Sequence, residues 1–206
     1  MREAAGRRPV DRVLEIGSVP GFVAGLATGA GFKVDVVDLD PDRIAPVFDA
    51  LGVSTHRADI EREQLPFPDG TFDLVLLCQT LEHLRWDPLL PLAETARVLR
   101  PGGEAIVSVP QITPLIRWRF LRGDDLFDDP VRQRRKIERI GHPGDLRFYS
   151  RSQLEKMIAW AGLDLVAVEP GGGFRGNRSG LVPAALRRLR RSAMQASLYV
   201  LVRKPG

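Results

Sequence analysis

Residues 10–21 read Val-Asp-Arg-Val-Leu-Glu-Ile-Gly-Ser-Val-Pro-Gly, and this stretch decides the fold. Its apolar half has the pattern of a parallel strand that is covered on both faces. Gly17 allows the backbone to turn sharply, and Gly21 allows the helix predicted over residues 22–30 to begin close to a ligand. Because a helix N-terminus offers unpaired N–H groups and a partial positive charge, the stretch predicts a nucleotide-like cofactor at the carboxyl end of a sheet.

The rest of the chain alternates between strand and helix patterns, which predicts a mostly parallel sheet. The predicted strands are residues 33–38, 54–58, 72–78, 104–109, 163–169 and 197–202. The predicted helices are residues 42–51, residues 87–99, which open with Asp-Pro, and residues 151–161, which follow a capping-box pattern. Residues 110–150 break this rhythm, so we expect a partly helical insertion over the site.

The composition is that of an ordinary globular protein. With 44% hydrophobic and 27% charged residues, the 206-residue chain can bury one full α/β core. We expect a single domain over residues 1–206, with a cofactor-binding half (10–110), an acceptor-side insertion (110–150) and a C-terminal part (150–206). The one cysteine excludes a disulfide within the chain and a cysteine-cluster metal site, and no metal site is predicted. No stretch resembles a signal peptide or a bilayer-spanning segment, so we expect a cytoplasmic protein.

Charge is distributed unevenly along the chain. The net charge is +4, but the residues after Glu169 include no acidic side chain and carry +8, which leaves −4 on the rest. This tail places Leu186 and Leu189 on one helical face beside four arginines. Two interpretations stay open: a solvated Arg-rich surface, or a face for peripheral contact with an anionic membrane. Nucleic acid is disfavoured because no aromatic side chains alternate with the basic residues to stack on bases.

Two aspartates stand at the ends of predicted strands and are candidate cofactor ligands. Asp38 comes 21 residues after Gly17, close to the spacing at which an acidic residue meets ribose hydroxyls in doubly wound folds. The alternative is a helix cap, for which Asp40 is better placed. Asp59 follows the next strand and could accept from the amino group of adenine, or it could bond only to nearby backbone as loop aspartates do.

Six ordered motifs resemble those of class I S-adenosylmethionine-dependent methyltransferases. They are residues 15–21 (Glu-Ile-Gly-Ser-Val-Pro-Gly), 36–38 (Val-Val-Asp), 58–59 (Ala-Asp), 65–73 (Leu-Pro-Phe-Pro-Asp-Gly-Thr-Phe-Asp), 81–83 (Leu-Glu-His) and 98–103 (Val-Leu-Arg-Pro-Gly-Gly). The resemblance is close over residues 10–110 and looser to the end. It implies a Rossmann-like seven-stranded α/β sheet with its last strand antiparallel, helices on both faces and an insertion after the fifth strand. It also implies S-adenosylmethionine as cofactor.

The resemblance assigns roles by position. At the methionine end these are Glu15 on the amino group, directly or through water, the loop of Gly17, Ser18 and Gly21, and Cys78 and Gln79 at the sulfonium. At the nucleoside end they are Asp38 on the ribose hydroxyls, Leu39 packing on adenine, and Asp59 and Ile60 framing the adenine edge. One position departs from the family: Val19 replaces the usual middle glycine and Pro20 follows it. Because valine does not take a positive φ without cost, we expect a differently placed loop, with weaker binding or a degenerate site.

The catalytic residues are less well determined. Methyl transfer from a sulfonium is an in-line displacement in which alignment supplies most of the acceleration, and a base is needed only for a hydroxyl or a charged amine. His83 follows the fourth strand and is the first candidate base, with packing of the next helix as the alternative. His142 is the second candidate. Its segment resembles an element that closes the acceptor side in many of these enzymes.

The predicted function is methylation, at oxygen, of a small-molecule, sugar or lipid-linked acceptor. The glycan or lipid hint comes from a loose similarity of residues 108–123 to family members found with polysaccharide biosynthesis. One alternative is an NAD-dependent oxidoreductase, but Gly17, Gly21 and Gly25 do not form a G-x-G-x-x-G pattern. The other is a non-catalytic or degenerate binding protein that uses its basic tail. The oligomeric state stays open.

Overall fold

The computed structural model describes residues 10–111, 118, 120–123, 125, 127–140, 144–170 and 197–206. In this part of the chain the strands are β1 (Arg12–Ile16), β2 (Lys33–Asp38), β3 (Ser54–Arg57), β4 (Phe72–Cys78), β5 (Leu99–Pro110), β6 (Asp164–Pro170) and β7 (Ser197–Arg203). The helices are α1 (Phe22–Gly29), α2 (Ala45–Leu51), α3 (Leu90–Val98), α4 (Pro130–Ile140) and α5 (Arg151–Trp160). Two short 3₁₀ helices cover Pro41–Ile44 and Leu81–His83.

The strands form one sheet in the order β3-β2-β1-β4-β5-β7-β6. Strands β1 to β5 pair in parallel, whereas β7 runs antiparallel between β5 and β6. The predicted Rossmann-like seven-stranded sheet with its last strand antiparallel is therefore confirmed.

Both faces of the sheet are buried, because side chains alternate across it and helices pack on each side. Leu14 and Ile16 join one core with side chains of α3 and α5. Val13 joins the other core with Ala27 of α1 and Phe48 of α2. This double cover accounts for the apolar runs of β1 and β4.

Two helices begin later than their sequence patterns predict. The one predicted over residues 42–51 becomes α-helical only at Ala45, and Pro46 then stands in the first turn, where a missing N–H does no harm. The one predicted from Asp87 begins at Leu90. The Asp87 carboxylate accepts the N–H two residues ahead at 2.8 Å, which closes a turn before the helix.

Strand β5 begins earlier than predicted. Residues 101–103, expected to separate α3 from the strand, belong to it, and its pairing with β4 shifts register between Phe72 and Leu74. Two backbone hydrogen bonds with Lys204, just beyond β7, hold the irregular part. The Gly102 N–H donates to the Lys204 carbonyl at 3.0 Å, and the Lys204 N–H donates to the Gly103 carbonyl at 2.9 Å. The local glycine pattern predicted a stop, and this long-range pairing overrides it.

The predicted insertion contains helix α4, whose start is capped by the Asp129 carboxylate on two backbone N–H groups. Residues 144–150 then lie against the 3₁₀ helix after β4. The Leu146 N–H donates to the Glu82 carbonyl at 2.8 Å, and the Tyr149 hydroxyl donates to the Leu81 carbonyl at 3.2 Å. The last part of the insertion therefore packs directly beside the carboxyl end of β4.

Two sequence predictions fall outside the described residues. One is His142, and the other is the basic face around Leu186 and Leu189. Among the helices that the structure describes, none combines the length and apolar character that crossing a membrane requires.

Candidate functional site

A cavity of about 360 Å³ opens at the carboxyl ends of β1, β2 and β4. Seven of the predicted site residues line it: Gly17, Asp38, Leu39, Asp59, Ile60, Gln79 and His83. Four others do not: Glu15, Ser18, Gly21 and Cys78. Neighbouring parallel strands end at the same edge of a sheet, which is why residues from distant parts of the sequence meet there.

Two glycines shape the loop after β1. Gly17 has a φ of +73° and Gly21 a φ of +85°, a region that other residues rarely adopt. A Cβ on Gly17 would lie 2.5 Å from side-chain atoms of Thr80, so the loop packs directly on the segment after β4. Among the described non-glycine residues a positive φ occurs only at Gln79, so Val19 takes its place in the loop without a positive φ.

Asp38 ties the loop after β1 to the end of β2. Its Oδ2 accepts the N–H of Ser18 at 3.0 Å and that of Val19 at 3.4 Å, and its Oδ1 accepts the N–H of Asp40 at 3.0 Å. Because each carboxylate oxygen has two lone pairs, these bonds leave capacity for a ligand hydroxyl. Asp40, the expected helix cap, makes no capping hydrogen bond and pairs instead with Arg57 at 3.0 Å.

The other end of the cavity combines polar edges with apolar surface. The Asp59 carboxylate accepts the N–H of Glu61 at 3.1 Å, as a loop aspartate does, and also lines the cavity. Ile60 is nearly buried, whereas Leu39 exposes 63% of its surface. The exposed apolar side chain of Leu39 suits the flat face of a nucleobase, and the neighbouring carboxylates suit its polar edge.

Glu15 and Ser18 lie buried beside the cavity with unpartnered atoms. Burial raises the pKa of Glu15 to about 8, and the charge of Asp38 contributes to the rise. A hydrogen bond from the Ala24 N–H acts in the opposite direction and lowers the pKa. Glu15 Oε2 and the Ser18 hydroxyl have no hydrogen-bond partner among the described residues. Buried polar atoms without partners are rare and costly, so this corner of the loop fits a polar group of a ligand.

Cys78 and His56 are set apart from the cavity. Burial raises the pKa of the Cys78 thiol to about 12, and the charge of Glu15 adds to the rise, so the thiol has no nucleophilic character at neutral pH. His56 lies 3.1 Å from the Asp35 carboxylate at the edge of the sheet and packs edge-on against Phe67. Both contacts give His56 a structural role.

His83 forms a further part of the wall, with two carboxyl groups near it. Its Nδ1 donates to the Gly144 carbonyl at 2.9 Å and lies 3.6 Å from the Asp145 carboxylate. Burial raises the pKa of the adjacent Glu82 to about 8, and the charge of Asp145 raises it further. Glu82 is 1% exposed, and its Oε2 has no hydrogen-bond partner among the described residues.

Sequence reasoning missed several residues of the lining: Arg43, Thr80, Glu61, Arg62, Arg85 and Trp86. Arg62 stacks on the Trp86 ring at 5.6 Å, and the Glu61 carboxylate accepts a hydrogen bond from the backbone N–H of Trp86. These residues therefore form one rim of the cavity. The sequence contained a signal for these lining residues, since all of them except Arg43 flank the motifs at residues 58–59 and 81–83. No rule of spacing, however, gave those flanking residues a role.

The reversed β7, the glycine turn after β1 and the acidic residue at the end of β2 define a class I methyltransferase fold. Residues 14–107 match the family described as a methyltransferase domain. A probable S-adenosylmethionine-dependent methyltransferase of Mycolicibacterium smegmatis is 38% identical over 125 residues, which cover 59% of this chain and 45% of that protein. The chain thus resembles S-adenosylmethionine-dependent methyltransferases in sequence, and the alignment spans less than half of this curated relative.

Solved structures agree on the fold. A putative methyltransferase from Bacillus halodurans has a TM-score of 0.63 and 20% identity, covering 97% of this chain and 94% of that one. The 1,6-didemethyltoxoflavin-N1-methyltransferase of Burkholderia thailandensis has a TM-score of 0.61 and 21% identity, covering 97% of this chain and 72% of that one. The Burkholderia structure contains 1,6-didemethyltoxoflavin and S-adenosylhomocysteine.

Proposed function

We propose that this chain transfers the methyl group of S-adenosylmethionine to a small-molecule acceptor. The observation that carries the proposal is the meeting of the Gly17 turn, the Asp38 carboxylate and the open Leu39 side chain at one cavity. The Asp38 carboxylate keeps acceptor capacity for a ribose hydroxyl, and an uncovered apolar side chain beside it suits the adenine face. The cofactor named for the mycobacterial relative supports the same ligand.

The predicted cofactor residues keep their proposed roles, with one refinement. Gly17, Ser18 and Gly21 would shape the loop around the methionine part, and Asp59, Ile60 and Gln79 would line the cavity as predicted. Glu15 and Cys78 do not line it, so their proposed contacts are indirect. The unpartnered oxygen of Glu15 would reach the cofactor's amino group through water or through the loop backbone.

When bound, the cofactor supplies a methyl group that is displaced by a lone pair of the acceptor, while the electrons of the C–S bond stay on sulfur. The protein must hold the acceptor in line with that bond and exclude water. Leu84, Thr80 and Trp86 line the cavity, and they would help to do both.

We propose oxygen as the methylated atom, with a small hydroxyl compound, a sugar or a lipid-linked sugar as acceptor. A hydroxyl must lose a proton during transfer, and the His83 imidazole lies on the described cavity wall, where it could accept that proton. The Nδ1 hydrogen bond to Gly144 orients the ring and places the lone pair of the neutral form on Nε2. The sugar and lipid alternatives rest on the loose sequence similarity alone.

The test is release of S-adenosylhomocysteine with a panel of hydroxyl acceptors and their amino counterparts. We expect turnover with a hydroxyl compound, and His83→Ala should slow it about 10²–10⁴-fold. His56→Ala is the matched control, because His56 lies away from the cavity. Turnover restricted to amines would reject oxygen as the target. A normal rate for folded His83→Ala would remove His83 from the mechanism.

A further inference from the structure

Three potential metal ligands meet at the wall of the cavity: Glu82, His83 and Asp145. One ligand atom from each lies within 4.8 Å of the other two. The grouping is fixed by the backbone, since the N–H groups of Leu146 and Arg147 donate to the Glu82 carbonyl at 2.8 and 3.2 Å. The two segments are thus held together independently of the side-chain conformations in the cluster.

Glu82 gives a second, independent sign of a ligand at this place. It is 1% exposed, and its Oε2 has no hydrogen-bond partner in the described part of the chain. No described arginine or lysine forms an ion pair with Glu82 or Asp145. The negative charge of Asp145 also acts unfavourably on an ionised Glu82. A buried carboxylate without a partner is strongly unfavourable unless a cation or a proton neutralises it.

The His83 ring is held in place by one of its two nitrogens. Its Nδ1 donates to the Gly144 carbonyl at 2.9 Å. Histidine ligands commonly donate their other ring N–H to a carbonyl or a carboxylate in this way, which fixes the ring and its tautomer.

We propose that Glu82, His83 and Asp145 bind a divalent cation at the wall of the methyl-transfer cavity. Two carboxylates with one imidazole suit Mn²⁺ or Zn²⁺ better than Mg²⁺, which prefers oxygen ligands and retains several waters. This proposal departs from the sequence-based expectation of no metal site. Two of the three residues belong to the Leu-Glu-His motif, but Asp145 lies too far along the chain for spacing to connect it with them.

A cation at this site would assist the proposed methyl transfer, and its catalytic role rests on that proposed function. His83 lines the cavity, so the open positions of the ion would face the acceptor. An acceptor hydroxyl bound there would be more acidic and would release its proton to solvent water, and a second neighbouring oxygen would strengthen the contact. His83 would then act on the acceptor through the ion, and the favoured acceptor would carry two adjacent oxygens.

Mn²⁺ binding to the purified chain, without cofactor or acceptor, tests this site. Electron paramagnetic resonance measures free Mn²⁺ in titrations of the wild type, Glu82→Gln and Asp145→Asn. Glu63→Gln is the matched control, since it makes the same charge change on an exposed side chain outside the cavity lining. Circular dichroism establishes that each variant is folded; Asp145 is partly exposed, so its variant should fold even where Glu82→Gln does not.

We expect one Mn²⁺ per chain in the wild type and the control, and at least about 10-fold weaker binding in Asp145→Asn and in folded Glu82→Gln. The site is overturned if the wild type shows no saturable binding at millimolar Mn²⁺, or if folded Asp145→Asn binds as tightly as the control. A separate titration with S-adenosylhomocysteine distinguishes the two proposals. If the chain binds S-adenosylhomocysteine but not Mn²⁺, only the cation proposal is rejected. If the chain binds Mn²⁺ but not S-adenosylhomocysteine, only the cofactor proposal is rejected.

Discussion

At the scale of single residues, the contact between Gly17 and Thr80 determines whether the loop after β1 can keep its shape. Gly17→Ala would place a methyl group 2.5 Å from Thr80 at a φ of +73°. We expect a loss of stability of roughly 1–3 kcal/mol and weaker cofactor binding, because the loop must move. Gly29→Ala is the control, since its Cβ would meet no atom within 4 Å. Urea unfolding measures both variants, and equal stabilities would show that the contact does not constrain the loop.

Glu15 predicts a pH dependence of stability in the cofactor-free protein. Its pKa is about 8 in the folded chain and near 4.5 when unfolded, so between these values the folded state holds a proton that the unfolded state has lost. The free energy of unfolding should therefore fall as pH rises from 4.5 to 8, by up to about 1.4 kcal/mol per pH unit from this group.

Urea unfolding of wild type and Glu15→Gln at pH 5.5 and 8.5 checks this. The variant cannot lose the proton, so its advantage over wild type should grow with pH. Glu63→Gln, an exposed carboxyl, should follow the wild type. A constant difference between wild type and Glu15→Gln would mean that Glu15 titrates normally in the folded chain.

The sequence-predicted site residues that line the cavity belong to local motifs. Gly17 and Asp38 stand at the ends of strands whose patterns are unambiguous, and parallel pairing brings strand ends to one edge. Arg43 and Trp86 line the same cavity for reasons of tertiary packing that no spacing rule contains. The meeting of Glu82 with Asp145 depends on an irregular segment, so it could be found only in the structure.

At the scale of elements, helix α5 has the best-defined start. The Ser150 hydroxyl accepts the Gln153 N–H at 3.2 Å, and the Gln153 side chain accepts the Ser150 N–H at 2.9 Å. Ser150→Ala should cost about 1 kcal/mol of stability, which chemical unfolding can resolve. Ser152→Ala, exposed in the first turn, is the control. Equal stability of the two variants would show that the cap contributes nothing.

Elements were predictable where their signals are local. The capping box gave α5, and the apolar runs gave β2 and β4 with the bounds that the structure shows. The start of α3 and the length of β5 were wrong, because a turn at Asp87 and the pairing of Lys204 beyond β7 compete with the local pattern. Tertiary contacts decide such boundaries.

At the scale of the whole molecule, strand β7 joins chain segments far apart in sequence. It pairs with β5 from Glu104 opposite Arg203 to Pro110 opposite Ser197, and the Arg203 guanidinium bonds the buried Glu104 carboxylate at 2.7 Å. Alternating patterns predicted a mostly parallel sheet, but only the family resemblance predicted the reversed strand. Strand order is a property of long-range pairing that local patterns do not contain.

The account as a whole depends on the cavity being a cofactor site. Calorimetric titration of the folded protein with S-adenosylmethionine and S-adenosylhomocysteine, with NAD as the control ligand, tests this directly. We predict binding of a sulfur ligand with a Kd on the order of 1 μM, no binding of NAD, and about 1.5–3 kcal/mol weaker binding in Asp38→Ala than in Asp42→Ala. Absence of binding by both sulfur ligands, or equal affinity of the two variants, would contradict the account.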